Sequence, residues 1–540
     1  MTADPSALLT VRGLQIGYET RAGLVPAVSG VDFEIARGEI VAIVGESGSG
    51  KSTTAQAVIN LLDPSARLSA ETLDFDGTDL RALSHAGWRE LRSVRIGLIP
   101  QDPGVSLDPV KRIGDQVAES LRVHRLAGRR EAAARAVELL RIAGIPDPGL
   151  RARQFPHQLS GGMKQRALIA AALAADPELI IADEPTSALD VTVQKQILDH
   201  LENLVRERGT AVLLITHDLA VAGDRADRVL VMQSGRIVEQ GTADAVLRRP
   251  RHDDTRRLVA AAPALSSGRL EPSVAAARVD AEPPVVLSAC GLIKDFPLPG
   301  RRHLRAVDDV SFEIRRGRTF ALVGESGSGK STTSRLVARL EPVTAGRLAF
   351  DGTDYTDIRG ERLRELRRRF QLVYQNPYAS LDPRFTIADT IDEPLRAYGV
   401  SATDRGSRVR DLLGLVALPT SFLGRRPAEL SGGQRQRVAI ARALALQPDL
   451  VILDEAVSAL DVSVQAQILQ LLTDLQAELG VAYLFITHDL AVVRQIADSV
   501  GVMHRARLVE TGTTDEVLHS PREEYTQRLI DAIPGSVSLA

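Results

Sequence analysis

Fully apolar runs of four to six residues recur along the chain: Ile40 to Val44, Leu179 to Ala182, Ala211 to Ile215, then Phe320 to Val323, Leu450 to Leu453 and Val481 to Ile486. Runs this short and this uniformly apolar predict strands buried on both faces, as in a parallel sheet. Between them lie longer stretches at helical spacing, including Glu131–Ile142 and Arg408–Leu415. Alternation over Leu8–Tyr18 and Val310–Ile314 predicts half-buried strands that open each half of the chain. Short apolar runs alternating with helices predict an α/β fold.

The pattern occurs twice. Gly45 maps to Gly324 with an offset of 279, Gln101 to Gln375 with 274, and Ser160, Asp183 and His217 to Ser431, Asp454 and His488 with 271. The second copy therefore drops five residues, then three, and afterwards stays in register. Self-similarity over so long a span means one domain used twice. The predicted organisation is a first domain with a C-terminal extension over 1–263, a linker over 264–284 that is rich in Ala, Ser and Pro, and a second domain with its own extension over 285–540.

Composition narrows the classes. At 540 residues, 44% hydrophobic and 25% charged, the chain is an ordinary globular sequence too long for one core. Its net charge of −3 argues against a nucleic-acid-binding protein, and the arginine run Arg362–Arg369 reads as a solvated helix face. The single cysteine, Cys290, excludes an internal disulfide and any Cys₄ zinc or iron–sulfur site. Met1 to Pro5 lacks the pattern of a signal peptide, and runs such as Ala167–Ala175 fall short of a bilayer span, so a membrane role is expected to come through partners.

The chemistry is concentrated in a few repeated motifs. Gly45-Glu46-Ser47-Gly48-Ser49-Gly50-Lys51-Ser52 returns as Gly324-Glu325-Ser326-Gly327-Ser328-Gly329-Lys330-Ser331, with Thr53 and Thr332 following. Each stands between an apolar strand and a helical segment, the setting in which such a loop cradles phosphates with its N–H groups. Lys51 and Lys330 are predicted to reach the β/γ-phosphates, and Ser52 and Ser331 to supply Mg²⁺ with a hydroxyl. Asp183-Glu184 and Asp454-Glu455 end buried runs; the aspartate would complete the Mg²⁺ shell and the glutamate would act as general base on water. His217 and His488, each within Ile-Thr-His-Asp-Leu, are candidate γ-phosphate contacts. Gln101 and Gln375 precede Asp-Pro and Asn-Pro turns and are candidates for holding Mg²⁺ or orienting water. Ser160-Gly161-Gly162-Met163 and Ser431-Gly432-Gly433-Gln434 lead into apolar helices and form a second type of oxyanion-binding helix start.

With these motifs in place, together with Ser187–Asp190 and Ser458–Asp461, the chain resembles a tandem ABC ATPase over both halves. The resemblance implies two P-loop NTPase (RecA-like) nucleotide-binding domains, each with an antiparallel β subdomain and a helical subdomain. It implies ATP and Mg²⁺ as ligands, with each ATP held between one domain's phosphate loop and the other domain's Ser-Gly-Gly signature. Tyr18 and Phe296, 27 and 28 residues before Gly45 and Gly324, match the family's adenine-stacking aromatic. More finely, Ser106–Pro109, Ser380–Pro383 and the Pro250–Pro263 and Pro521–Pro534 tails are similar to ATPase subunits of oligopeptide/dipeptide importers. The first tail departs from that pattern, with Asp253-Asp254 where the subfamily favours Pro-Tyr.

The resemblance implies a peripheral subunit on the cytoplasmic face of the cell membrane. It would bind two permeases, act with an extracytoplasmic solute-binding protein and be present in one copy per transporter. The competing class is a soluble tandem ABC ATPase acting on ribosomes or nucleic acid. A short, proline-broken linker and the lack of zinc cysteines argue against it. Peptides are the expected solute; nickel complexes, glutathione-like conjugates and short glycans are alternatives.

Overall fold

The structure is a computed structural model that describes residues 7–21, 23–186, 190–265, 268–273, 283–298, 302–375, 380–458 and 460–535. Ser187 to Leu189, Ala459, Asn376-Pro377 and most of the predicted linker lie outside them. The chain divides into two compact units, with the boundary after Leu265.

In the first unit a six-stranded sheet runs in the order Arg236–Thr242, Arg228–Gln233, Ile40–Val44, Ala211–Ile215, Leu179–Asp183, Ile96–Ile99. All its neighbouring strands are parallel except the first pair. The strands Ile40–Val44, Leu179–Asp183 and Ala211–Ile215 are buried at every position, as their uniform apolarity requires. One face, with Val41, Ile43, Leu179, Ile181, Leu213 and Ile215, shares a core with an antiparallel sheet contributing Leu9, Val31, Phe33 and Phe75. That sheet runs Gly23–Ala36, Ala7–Thr20, Thr72–Phe75, Thr78–Asp79, with Ala66–Ser69 also paired to Ala7–Thr20. The helices Arg129–Ile142 and Gly161–Ala172 pack on each other.

The second unit repeats this plan. Its mixed sheet runs Phe370–Val373, Leu450–Asp454, Ala482–Ile486, Thr319–Val323, Ser499–His504, Arg507–Thr513. Its antiparallel sheet contains Arg302–Arg315, Val285–Leu298, Ala345–Phe350 and Thr353–Asp354. Alternate residues of the mixed sheet divide between two cores. Leu450, Ile452, Leu484 and Ile486 face the antiparallel sheet. Val451, Leu453, Tyr483 and Phe485 face the helices Ile387–Ala397, Ala402–Leu415 and Gly432–Leu444.

Three local readings change. The strand that opens the second unit is Val285–Leu298, while Val310–Ile314 falls in its antiparallel neighbour. Ser288, Cys290 and a bulge at Gly291 interrupt the alternation there and hide the strand from a periodicity reading. Part of the predicted 264–284 linker is anchored on the second unit: Arg269 pairs with Asp498, Leu270 N–H donates to Gln495 O at 2.9 Å, and Ser273 N–H donates to Asp474 at 2.7 Å. The helix Gly360–Arg367 buries no residue, as expected of a solvated face, yet its arginines are not all free in water. Arg367 donates to Arg339 O, and Arg369, just beyond, to Asp449 and Asp351.

That last contact is one half of a repeated clamp. In the first unit Arg37 and Arg95 bridge Asp76, at the end of an antiparallel strand, to Glu178, at the start of the acid-bearing strand. Arg316, Arg369, Asp351 and Asp449 repeat it. Hydrogen bonds from Arg95 hold the Asp76 and Glu178 carboxyls below their ordinary range. Their stabilising contribution is thus fully present above the unfolded carboxylate values, near pH ~4, and lost as pH falls further through the folded ones. These groups are partly exposed, so Arg95→Ala is expected to destabilise the unit by only about 1 kcal/mol. In urea melts that deficit should be smaller at high salt and vanish at acid pH; an equal deficit at pH 7 and pH 2 would show that the clamp is not electrostatic.

Candidate functional site: two phosphate loops and their acidic strands

The parallel register sets the site. Ile43 lies opposite Ile215, and Ile215 opposite Asp183, so three strands end together and their following residues emerge side by side. Gly45, Glu184 and Thr216 are those residues, with His217 next after Thr216. In the second unit Leu322, Ile486 and Asp454 are aligned in the same way. Carboxyl ends of adjacent parallel strands are where open α/β sheets bind ligands.

The phosphate loop is held by backbone contacts. Ser49 N–H donates to Glu46 O at 3.2 Å and Gly235 N–H to Ser49 O at 3.0 Å; Ser328 and Ala506 repeat both bonds. Gly50 is left-handed, with φ of 101°, and starts the helix Lys51–Val58; Gly329 does the same for Lys330–Val337. Gly45 is pressed against the neighbouring strand, where a Cβ would stand 2.2 Å from Met232 O. Ser47-Gly48 and Ser326-Gly327 form exposed loop tips, and Thr53 and Thr332 are half-buried in the first helical turn.

The functional side chains converge on this loop. Lys51 is buried and its Nζ donates to Gly45 O and Glu46 O, both at 2.8 Å. Lys330 donates to Gly324 O at 2.6 Å and Glu325 O at 2.8 Å. Ser52 Oγ donates to Asp183 at 2.9 Å, and Ser331 Oγ to Asp454 at 3.2 Å. Gln101 Nε2 donates to Glu184 at 2.8 Å, and Gln375 Nε2 to Glu455 at 2.6 Å. His217 Nδ1 lies 3.1 Å from the other Glu184 oxygen, whereas His488 Nδ1 is 3.8 Å from Glu455. Both glutamates have positive φ, 46° and 48°, an uncommon backbone for a non-glycine residue.

The histidine motif has a physical explanation. Asp218 caps the helix Leu219–Arg225 by accepting from Ala220 and Val221 N–H, while its own N–H donates to Thr216 Oγ1 at 3.0 Å. Thr487 and Asp489 lock the second turn in the same way. Threonine and aspartate fix the turn, and the histidine between them is left to face the glutamate.

The two acids of each pair are shifted in opposite directions. Burial pushes Asp183 and Asp454 above the ordinary carboxylate value. Burial also pushes Glu184 up, but His217, Lys51 and Gln101 outweigh it and its carboxyl sits below the ordinary range. The imidazole of His488 holds Glu455 low against burial. Burial alone would lower both histidines; the adjoining glutamates raise them instead.

The residues fit a nucleotide and a hard divalent cation. Gly45 and Gly50 shape a cradle that a Cβ would obstruct, and Ser49 Oγ and Ser328 Oγ are buried within the loops without a hydrogen-bond partner among the described residues. A buried carboxylate beside a serine hydroxyl offers the oxygen donors that Mg²⁺ selects.

Other candidates sit elsewhere in each unit. Ser160 accepts from Met163 N–H at 3.3 Å and caps the helix Gly161–Ala172. Ser431 caps Gly432–Leu444 and also donates its N–H to Gln434 Oε1 at 3.0 Å, a reciprocal bond that Met163 cannot make. Tyr18 is half-buried on the strand Ala7–Thr20, opposite Val25 and Ala66. Phe296, on Val285–Leu298, has the Lys294 ammonium 4.8 Å from its ring centre. Ser334, whose Oγ donates to Asp454 at 3.3 Å, was not anticipated. Ala55 stands at the equivalent place in the first unit, so comparing the copies offered only a difference, with no motif to give it meaning.

The family model for ABC transporters matches residues 28–187 and 307–458. The model for the oligopeptide/dipeptide transporter C-terminal region matches 509–537, the tail of the second copy. The glutathione import ATP-binding protein GsiA of Salmonella choleraesuis (strain SC-B67) is 43% identical over 561 residues, covering 98% of this chain and 90% of the relative. The protein of the same name from Escherichia coli (strain K12) is 43% identical over 563 residues, with the same coverage. Matched in both halves and nearly end to end, the chain belongs to the ABC transporter family as a fused pair of ATPase cassettes of the oligopeptide/dipeptide importer type.

Proposed function

We propose that the chain powers a binding-protein-dependent importer of small peptide-like solutes and works on the cytoplasmic face of the membrane through two permease subunits. The observation that carries this is the duplicated array of lysine, serine, aspartate, glutamate, glutamine and histidine around each phosphate loop. Neither array lacks its lysine, its general base or its histidine. The relatives named for glutathione import favour glutathione or a similar short peptide as the solute. Among the described residues no helix is long and apolar enough to cross a membrane, which fits attachment through partners.

In this reading Lys51 and Lys330 bind the β/γ-phosphates, and Ser52, Gln101 and Asp183, or Ser331, Gln375 and Asp454, hold Mg²⁺. The ion, when bound, neutralises charge on the phosphates. Glu184 and Glu455 take the proton of the attacking water, and His217 and His488 hold the terminal phosphate. Tyr18 and Phe296 stack on adenine, and the signature helices Ser160-Gly161-Gly162 and Ser431-Gly432-Gly433-Gln434 complete nucleotide recognition.

Two complete arrays in one chain imply one copy per transporter. Native mass measurement of the complex purified from membranes is expected to show one copy of this chain, two permease subunits and, with solute, the binding protein. Two copies would refute that stoichiometry. Reconstituted in liposomes with its binding protein, the complex should hydrolyse ATP faster with glutathione or short peptides. Stimulation by a nickel complex or a glycan alone would reassign the solute.

A further inference from the structure

Both C-terminal extensions are folded onto their cassettes by the same device. Glu239 accepts from the N–H groups of Arg251 and His252 at 2.8 and 3.0 Å, and Glu510 from those of Arg522 and Glu523 at 2.8 and 3.3 Å. Each glutamate lies on the last strand of its sheet and fixes the chain just ahead of the tail helix, Asp253–Ala261 or Glu524–Asp531.

Beyond this shared anchor, one of the differences between the tails reaches the phosphate loop. In the second, Tyr525 is 8% exposed, its ring stacks on His504 at 3.9 Å, and its hydroxyl accepts from Glu325 N–H, inside the phosphate loop, at 3.3 Å. His504 ends the strand whose preceding residue, Met503, presses its carbonyl against Gly324. One side chain of the extension therefore touches both the loop and the strand that walls it. In the first tail the equivalent residue is Asp254, which pairs with Arg257 and His252, and Gln233 stands in place of His504.

We propose that Tyr525 is a positioning residue for the second phosphate loop, making that nucleotide site, and not the first, dependent on the C-terminal extension. Lys330 Nζ donates to Gly324 O and Glu325 O. In turning its ammonium to a phosphate, the lysine releases both carbonyls, and the peptide at 324–325 loses a charge-assisted restraint. The Tyr525 hydroxyl holds the N–H side of the same residue and keeps the loop in its cradle shape as the lysine leaves. The proposal rests on the second loop being a nucleotide site.

The test uses the full chain with Lys51→Ala, which weakens the first site, titrated with a fluorescent ATP analogue. Adding Tyr525→Phe keeps the ring and its stacking but removes the hydroxyl. Binding at the second loop is expected to weaken by up to about fivefold, the most that one hydrogen bond of ordinary strength contributes. In the reciprocal Lys330→Ala chain, Tyr525→Phe should leave first-site affinity unchanged. In the assembled transporter the variant should raise KM for ATP and leave kcat alone. Equal second-loop binding with and without the Tyr525→Phe substitution overturns the proposal. So does equal weakening at both sites, which would make the tyrosine merely structural. If the Lys51→Ala parent itself binds no nucleotide, the reading of the second loop falls first and the proposal with it.

Discussion

Glu184→Gln and Glu455→Gln are each expected to reduce steady-state ATP hydrolysis by the assembled transporter far below half. Glutamine keeps the shape and the contact to Gln101 or Gln375 but cannot accept a proton, and loss of a positioned base lowers its own step by ~10²–10⁴-fold. If the two sites worked independently, one variant would leave half the turnover. Both arrays keep their glutamate, which has an unusual positive φ and contacts its glutamine with the histidine beside it, and we expect them to fire within one transport cycle. The differences between them are small: His217 lies closer to its glutamate than His488, and Asp454 has a second hydroxyl partner, Ser334. ATP binding should survive in both variants, since Lys51, Ser52 and their counterparts are untouched. A near-normal rate for either variant would assign that site a regulatory role.

Gly45→Ala and Gly324→Ala are expected to weaken ATP binding strongly in their own cassette. An added methyl would stand 2.2 Å from Met232 O or 2.1 Å from Met503 O, and the obstacle is strand backbone that cannot rotate aside. Either the loop lifts from its cradle or the strand shifts. We expect at least ~10-fold weaker nucleotide binding and roughly 2–4 kcal/mol of lost stability, typical of a buried steric conflict. Gly48→Ala and Gly327→Ala are the controls. They also have positive φ, 76° and 81°, but an added methyl meets nothing within 4 Å. They should lose only the ~1–2 kcal/mol of left-handed backbone strain. Equal effects at Gly45 and Gly48, by isothermal titration and thermal melts, would show that φ alone and not the close approach matters.

Much of this protein is written locally. The phosphate loops, the acid-ended strands and the Ile-Thr-His-Asp-Leu turns are contiguous, because each performs its task with neighbouring backbone and side chains: glycines curl the loop, a uniformly apolar run makes a doubly buried strand, and Thr and Asp lock a turn. The duplication was equally plain, since register along one chain needs no folding to be seen. The strand at Val285–Leu298 was harder to find, because a bulge and small polar residues disturb its alternation, and pairing with both neighbours decides it.

Tertiary structure alone decided which residues meet. That Glu184 shares its two oxygens between Gln101 and His217, 83 and 33 residues away, follows from the order and register of parallel strands, which no local pattern encodes. The Arg37–Arg95–Asp76–Glu178 clamp and the approach of Met232 to Gly45 arise in the same way. Tyr525 makes the point most directly. In sequence it is one aromatic in a tail; in space it stands against a loop 200 residues earlier, because Glu510 fixes where that tail begins and the sheet fixes where the loop ends.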